Sequence, residues 1–193
     1  MYLDKAKEKE GNLHQTGIAQ FIPCTEEQVA SLEDWYGHAL PRAYREFLFW
    51  MGSWGGGFLI GSHCFYGELK DIQTWAKDLL REDEYPGTLP EDAFVFWMHQ
   101  GYQFYFFRCH EGEDPPVYYY LESLENEPLQ ASFILKFAHF SDFLLTAIED
   151  SLNFSQTMTT WRSQIATSHP EKAKEIYERE MKRREMFRKL GGE

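Results

Sequence analysis

Two pairs of adjacent histidine and cysteine residues carry the side chains best suited to metal chemistry. They are His63-Cys64 and Cys109-His110. A structural zinc site usually has two to four residues between paired ligands, whereas each pair here is contiguous. Neighbouring residues on a strand point to opposite faces, so at most one of each pair could bind the same ion. A cysteine nucleophile would need a similar convergence plus an orienting acid. The sequence therefore predicts buried thiols and surface histidines, with no metal and no cofactor.

Three clusters of carboxylates have the residue types of general acid-base catalysis. They are Glu82/Asp83/Glu84, Glu91/Asp92 and Glu111/Glu113/Asp114. Each cluster lies in a hydrophilic, turn-like segment where solvated charge is the usual state, and nothing fixes the separation between two carboxylates. We therefore predict no catalytic residue and no enzymatic activity.

The segment FVFWMHQGYQFYFF, from Phe94 to Phe107, holds eight aromatic side chains in fourteen residues. It predicts a β-hairpin with Gln100 and Gly101 as a two-residue loop. The opposed pairs would be His99–Tyr102, Met98–Gln103, Trp97–Phe104, Phe96–Tyr105, Val95–Phe106 and Phe94–Phe107. No Lys or Arg lies between Asp92 and Phe107, which excludes a stacking platform for single-stranded nucleic acid.

Both faces of this predicted hairpin are apolar. One carries Val95, Trp97, Phe104 and Phe106, and the other carries Phe94, Phe96, Met98, Tyr105 and Phe107. An antiparallel sheet usually leaves one face to water. Two apolar faces therefore predict either helices on both sides or one face that is left for a partner.

The elements that position these residues follow from the spacing of apolar side chains. Amphipathic spacing predicts helices within residues 24–37, 40–52, 68–83 and 140–152, the first with a capping box of Thr25 and Gln28. Strands are predicted at 58–61, 117–122 and 132–137, besides the hairpin. The glycines at 55–57 predict a tight turn, because no phosphate-binding GK[ST] follows them. Short connections favour antiparallel pairing, so the fold class is α+β, mostly antiparallel, with helices packed on the sheet.

The charge balance restricts the possible partners. The chain has 193 residues, with 31 Asp and Glu against 19 Lys and Arg, and a formal net charge of −12. Residues 171–193 carry eight bases and six acids, so subtracting their +2 leaves −14 for residues 1–170. Such an acidic body is unsuited to phosphate backbones and anionic lipid, so we exclude nucleic acid and membrane. An electrostatically attracted partner is expected to be basic.

Length and cysteine content predict one cytoplasmic domain with appendages. Three scattered cysteines provide no disulfide framework and favour a reducing compartment. The first twelve residues lack an apolar signal region, and no run of eighteen apolar residues occurs. We predict a polar, loosely packed lead-in (1–20), the α+β domain (21–155), and a linker with a charged C-terminal helix (156–193). No feature specifies an oligomeric state.

Four segments, taken in order, resemble the SUKH superfamily. They are LPRAYREFLFWMGSWGGG, HQGYQFYFF, DPPVYYYLE and FSDFLLTAI. The superfamily groups bacterial toxin-immunity proteins with yeast Knr-type regulators of cell-wall assembly. The resemblance runs from about Thr25 to Leu152, and residues 1–20 and the helix beyond Ser155 lie outside it. It implies an α+β fold, no enzymatic activity, and function by binding another protein, typically a secreted toxin domain of a sister cell.

The resemblance and the acidic body together favour a cytoplasmic immunity protein that neutralises a toxin domain by direct contact. A nuclease or deaminase toxin would present a basic substrate cleft, which complements an acidic surface. The predicted contact residues lie in the acidic loops and the hairpin turn. They are Glu82, Asp83, Glu84, Tyr85, His99, Gln100, Tyr102, Glu111, Glu113 and Asp114.

Two other functions stay open at this stage. One is a scaffold or regulatory domain that binds an endogenous cellular protein and docks through its basic C-terminal helix. In the immunity hypothesis, by contrast, that helix is solvated or folds back on the acidic body. The third possibility is a small-molecule enzyme, for which a ligand-dependent rise in melting temperature would be evidence.

Overall fold

The helices and strands follow the predicted order, with two additional helices at the N-terminus. The computed structural model describes residues 1–122, 132–172, 174, 178, 179 and 182. Within them the helices are α1 (Asp4–Lys7), α2 (Glu10–Gln15), α3 (Glu26–Tyr36), α4 (Arg42–Met51), α5 (Leu69–Glu82) and α6 (Phe140–Ser168), and a 3-10 turn spans Tyr66–Glu68. The strands are β1 (Ser62–His63), β2 (Ala93–His99), β3 (Gln103–Arg108), β4 (Val117–Leu121) and β5 (Ile134–Phe137). The chain divides into two units, Met1–Ser151 and Leu152–Glu193.

The five strands of the described residues form one antiparallel sheet in chain order, β1-β2-β3-β4-β5. Each strand pairs with the next along the sequence, as short connections favour. The predicted fold class, α+β with a mostly antiparallel sheet and helices packed on it, is confirmed.

The turn between β2 and β3 has the backbone conformation that the sequence predicts. Gln100 and Gly101 both have positive φ, 49° and 84°, and the Tyr102 N–H donates to the His99 carbonyl at 3.3 Å. This is the geometry of a type I′ turn. Tyr102 nevertheless stays outside the ladder, so His99 lies opposite Gln103. The predicted pairing of His99 with Tyr102 is therefore wrong by one residue.

A β-bulge in β2 absorbs this one-residue shift. The register changes between Val95 and Trp97, and beyond the bulge the strands return to the predicted pairing. The pairs Val95–Phe106 and Phe94–Phe107 are confirmed, whereas the pairs nearer the turn are Trp97–Tyr105, Met98–Phe104 and His99–Gln103. Because side chains alternate along a strand, Trp97 and Met98 lie on the faces opposite to those predicted.

Helices cover both faces of the aromatic hairpin. On one face, Tyr44 of α4 lies with its ring centroid 5.5 Å from Phe94 and 5.1 Å from Phe107. On the other face, α5 packs on β2, and Leu79 of α5 and Met98 of β2 line the same groove. The hairpin phenylalanines are at most 2% exposed: Phe94, Phe96, Phe104, Phe106 and Phe107. These rings therefore form the core, and no large apolar face of the hairpin is left for a partner.

The four predicted helices are all present. In the capping box of α3, the Gln28 N–H donates to Thr25 Oγ1 at 3.2 Å and the Thr25 N–H donates to Gln28 Oε1 at 2.8 Å. The amphipathic spacing of the second predicted helix corresponds to its buried side: Leu40, Tyr44, Phe47, Leu48 and Met51 are at most 3% exposed. Periodicity alone therefore identified the buried side of α4.

The first twenty residues are folded, so the predicted loosely packed lead-in is wrong in this respect. Leu3, Ala6 and Leu13 are at most 2% exposed. The backbone N–H groups of Tyr2 and Leu3 both donate to the Glu46 carboxylate of α4, at 3.2 Å. Three buried side chains in twenty residues are too few to produce a visible period, so only the tertiary contacts reveal this packing.

The predicted strand at residues 58–61 is instead a series of turns. Leu59 and Gly61 have φ of 56° and 86°, values in the left-handed region that a strand excludes. The strand begins later, as β1. The predicted glycine turn before it is confirmed: Gly56 has φ of 64°, and a Cβ there would lie 2.1 Å from the Ala19 carbonyl oxygen.

Helix α6 is longer than the sequence suggests. It continues through residues 156–168, where we expected a linker. Residues 170–172, 174, 178, 179 and 182 are also helical. The rest of the predicted charged helix, up to residue 193, lies outside the described residues.

Candidate functional site

The predicted contact residues lie at two opposite ends of the sheet. Strand β3 runs from Gln103, beside the hairpin turn, to Arg108, a distance of about 17 Å. The turn residues and the segment 82–85 at the end of α5 lie near Gln103. Residues 111–114 follow β3 at the other end. The structure thus brings Glu82 and Gln100 together and separates them from the acidic loop after β3.

A groove lies between the C-terminal half of α5 and the turn of the hairpin, and we call it the hairpin-end groove. Helix α5 contributes Trp75, Asp78, Leu79 and Glu82, and the lining is completed by His63, Met98, Gln100 and Gly101. Its volume is about 350 Å³, near the lower limit for small-molecule sites, which hold about 300–1,000 Å³. This size suits one side chain of a partner better than a whole cofactor.

The groove has an apolar floor and one aromatic wall. Leu79 and Met98 are buried, whereas Trp75 is 41% exposed. The ring of His63 meets Trp75 edge-on, with centroids 5.1 Å apart, and His63 Nδ1 lies 2.7 Å from Glu68 Oε1. The Trp75 indole is therefore held from one side by a histidine that is itself anchored.

The carboxylates of the groove come from a single face of α5. Asp78 and Glu82 are separated by four positions, and Trp75 precedes Asp78 by three, so all three lie on one side of the helix. Asp78 forms an exposed ion pair with Arg81 at 2.9 Å. Glu82 is exposed and forms no ion pair with any described residue. The groove thus has negative charge at its rim.

The hairpin turn is fixed by contacts on both of its sides. His99 Nδ1 lies 2.9 Å from Ser62 Oγ of β1, and the His99 ring meets Tyr102 edge-on at 5.9 Å. The Glu122 N–H donates to the Tyr102 carbonyl at 2.8 Å. Gln100 therefore projects from a turn that neighbouring strands hold in place.

The four predicted residues at the end of α5 divide into inward and outward positions. Asp83 accepts a hydrogen bond from the Tyr120 hydroxyl at 2.5 Å. Burial, and next this hydrogen bond to Asp83, raise the pKa of Tyr120. The ring of Tyr85 packs edge-on against Tyr120 at 5.3 Å, while Glu82 and Glu84 are exposed. Asp83 and Tyr85 thus support the sheet, and the two glutamates face solvent.

The acidic loop after β3 caps two helices. The Glu113 carboxylate accepts from the Arg42 N–H at 3.0 Å, at the start of α4. The Asp114 carboxylate accepts from the Ser141 N–H at 2.9 Å and from its hydroxyl at 2.6 Å, at the start of α6. Glu111 accepts from the Tyr118 hydroxyl at 2.9 Å. All three acids of this predicted contact group therefore have partners within the fold.

The two His-Cys pairs are placed far apart. His63 pairs with Met98 near the hairpin turn, whereas Cys109 follows Arg108, which pairs with Ala93. Met98 and Ala93 are five positions apart on β2, about 17 Å. Across the described residues, no group of three or more His, Cys, Asp and Glu could hold a metal ion.

Six of the eight residues that line the hairpin-end groove were not among the predicted contacts, and Trp75 and Asp78 are the two with the chemistry to bind a partner. The amphipathic spacing of the helix predicted within residues 68–83 places Trp75 on its apolar side, yet the ring is 41% exposed. The signal that could have identified them is the series 75, 78 and 82, which places an aromatic ring and two acids on one stripe of a helix. That stripe becomes a groove only because the hairpin turn lies beside it.

The fold class agrees with the match of the chain to a known protein family. In the described residues, helices and a five-stranded antiparallel sheet form an α+β domain. The model of the SMI1 / KNR4 family (SUKH-1) matches residues 23–146, and the chain belongs to this family. No curated protein matches the chain.

None of the described helices combines the length and the apolar character that crossing a bilayer requires.

Proposed function

We propose that this SUKH protein is a non-enzymatic, cytoplasmic immunity protein that neutralises a bacterial toxin domain by direct protein–protein binding. Membership of the SUKH-1 family supports a binding role, because the SUKH superfamily includes toxin-immunity proteins, which act by binding another protein. The expected partner, a basic toxin domain, follows from the negative charge of the chain. Residues 1–170 carry −14, and a nuclease or deaminase toxin carries a basic substrate cleft. Opposite charges accelerate association and favour the correct partner.

The observation that carries this proposal is an acidic groove beside a rigid turn. Asp78 and Glu82 stand at the rim of the hairpin-end groove, and Gln100 projects from the turn. Among the eight lining residues there is no lysine or arginine, and the one basic side chain is His63. The contact surface that we propose is therefore the hairpin end of the sheet, with Glu82, Glu84 and Gln100 outward. The loop 111–114 contributes negative potential, while its carboxylates also cap helices.

A cytoplasmic location agrees with the state of the cysteines. Cys24, Cys64 and Cys109 are all free, and the first two are buried. Free thiols are typical of a reducing compartment. An immunity protein that meets an incoming toxin inside the cell needs this location.

The experiment is a growth assay with a binding assay beside it. A candidate toxin domain, taken from the product of the adjacent gene, is expressed in bacteria with and without the protein, and the protein is then used to capture the purified candidate domain at low salt. We expect restored growth and a stoichiometric complex. Toxicity that persists in the presence of the folded protein, together with no complex at low salt, would refute the proposal.

A second candidate function is a scaffold or regulatory domain that docks an endogenous protein through the C-terminal region. Its support is the exposure of two large apolar side chains on α6 in the second unit, Phe154 and Trp161, at 67% and 42%. Deletion of residues 156–193 separates the two functions. Immunity by the first unit survives the deletion, whereas a regulator docked through this region loses its partner.

A further inference from the structure

The hairpin-end groove has the chemistry that recognises a single cationic side chain. The buried Leu79 and Met98 form a floor for an aliphatic stem. The exposed Trp75 offers a ring face for a cation, an interaction strongest with tryptophan. The carboxylates of Asp78 and Glu82 supply acceptors at the rim. The apolar floor, the aromatic ring and the two carboxylates occur together in one groove.

Arginine matches this arrangement better than lysine. Its guanidinium is planar, stacks on aromatic rings, and presents five N–H donors in a fixed fork, whereas an ammonium is a strongly hydrated point charge. Two carboxylates beside a tryptophan can accept hydrogen bonds from several of these N–H groups while the guanidinium plane stacks on the indole ring. The Gln100 side chain, on the turn, adds a neutral acceptor.

The existing ion pair in the groove leaves room for this ligand. Arg81 Nη2 lies 2.9 Å from Asp78 Oδ1, and the Arg81 side chain is 73% exposed. An exposed pair of this kind contributes little, and a carboxylate has about four lone-pair sites. An incoming guanidinium can therefore share Asp78 with Arg81 or displace it.

We propose that the hairpin-end groove is an anchor site for one arginine side chain of the protein partner, held by Trp75, Asp78 and Glu82. This inference rests on the proposed binding function and specifies how the partner is recognised. A basic cleft that handles nucleic acid presents arginines at its surface, so the groove would engage one of them. The immunity protein would thereby cover the residues that the toxin uses to hold its substrate.

The direct test uses a defined peptide and the full chain. The peptide acetyl-Gly-Gly-Arg-Gly-Gly-amide is titrated into labelled protein, and the indole N–H signals are followed by NMR. The Trp75 signal is assigned with the variant Trp75→Phe. We expect this signal to shift and saturate with the arginine peptide, and the same peptide with neutral citrulline to bind about tenfold more weakly. Equal responses to the two peptides would overturn the proposal.

Charge-matched variants localise the effect. Asp78→Asn with Glu82→Gln removes both groove carboxylates, and Glu91→Gln with Asp150→Asn removes two exposed carboxylates elsewhere. Both double variants change the net charge by the same amount. We expect about tenfold weaker arginine-peptide binding for the groove variant only, with melting temperatures near that of the native chain for both. An equal loss in both variants would show general charge attraction and overturn the proposal.

The purified toxin domain separates this proposal from the proposed function. If the toxin domain binds the groove variant and the control variant equally well, the proposed arginine site in the groove is refuted and the immunity function stands. If the arginine peptide occupies the groove but the native chain binds no toxin domain, the anchor stands and the immunity function is refuted.

Discussion

The side chain of Gln73 on α5 occupies the place of a missing strand beside Val95 of β2. Its Nε2 donates to the Val95 carbonyl at 2.5 Å, and its Oε1 accepts from the Val95 N–H at 2.9 Å. The same Nε2 donates to the Leu69 carbonyl at 2.8 Å. Strand β1 has only two residues and pairs with Met98 and His99, so it does not reach Val95. A buried amide thus completes the edge of the sheet and fixes α5 on it.

Replacing Gln73 should cost much of the stability of the fold. Gln73→Leu keeps the side-chain volume similar, but it removes the hydrogen-bond partner of the Val95 N–H and of the Val95 and Leu69 carbonyls. We expect a loss of about 2–4 kcal/mol in the free energy of unfolding, measured by urea denaturation. The control is Gln20→Leu, at an exposed glutamine. An unfolding midpoint for Gln73→Leu that equals that of the control would show that the amide does not stabilise the edge.

Asp114 should contribute to the stability of the fold and not to binding of the toxin domain. Its carboxylate caps the start of α6, so Asp114→Ala is expected to lower stability by about 1 kcal/mol, as the loss of a helix cap does. Chemical denaturation measures this loss. Affinity for the toxin domain, measured below the unfolding transition, should stay near that of the native chain. A stable variant with strongly weakened binding would instead assign Asp114 to the contact surface.

Asp92 should make stability depend on acid pH. Burial raises the pKa of its carboxyl, but hydrogen bonds from Arg108 and from the His110 N–H outweigh burial, and the net effect is a lowered pKa. A group with a lowered pKa stabilises the fold above its unfolded pKa of about 4, and this contribution is lost as the pH falls through its folded pKa.

Asp92→Asn tests this dependence. Denaturation is measured for the native chain and the variant at several pH values from about 6 to about 3. We expect the native chain to be more stable near pH 6 and the difference to narrow towards pH 3. A difference that stays constant over this interval would contradict a lowered pKa of Asp92.

The three cysteines should react slowly in the folded chain. Burial raises the pKa of Cys24 to about 11 and that of Cys109 to about 12, and the pKa of the buried Cys64 is also raised. Alkylation requires the thiolate. With iodoacetamide at pH 8, we expect labelling at least about tenfold slower in the folded chain than in urea. A thiol that reacts equally fast in both states would contradict this account.

The hairpin shows which part of a sheet can be predicted from sequence. The sequence pattern predicted the turn at Gln100 and Gly101, because a two-residue hairpin loop requires positive φ and glycine adopts it readily. It also gave the pairs Val95–Phe106 and Phe94–Phe107. The bulge beside Phe96 was not predictable, because all neighbouring side chains are apolar and either face could be buried. Alternation specifies register only when one face is polar.

The candidate site shows the same limit at the tertiary level. Local spacing predicted α5 and the turn, and both carry groove residues. The proximity of Glu82 to Gln100, however, comes from packing between elements that are distant in the sequence. The same holds for Asp114, a loop residue whose capping partner Ser141 lies on α6. A charged loop looks the same in sequence whether its carboxylates cap helices or face solvent.

The central claim is that an acidic α+β body binds a basic toxin domain through charge complementarity. The most direct measurement is the dissociation constant for the candidate toxin domain, taken from the product of the adjacent gene and measured by calorimetry at about 50 mM and about 500 mM NaCl. We expect a stoichiometric complex at low salt and at least about tenfold weaker binding at the higher concentration. No binding at low salt, or an affinity that salt does not change, would contradict the claim.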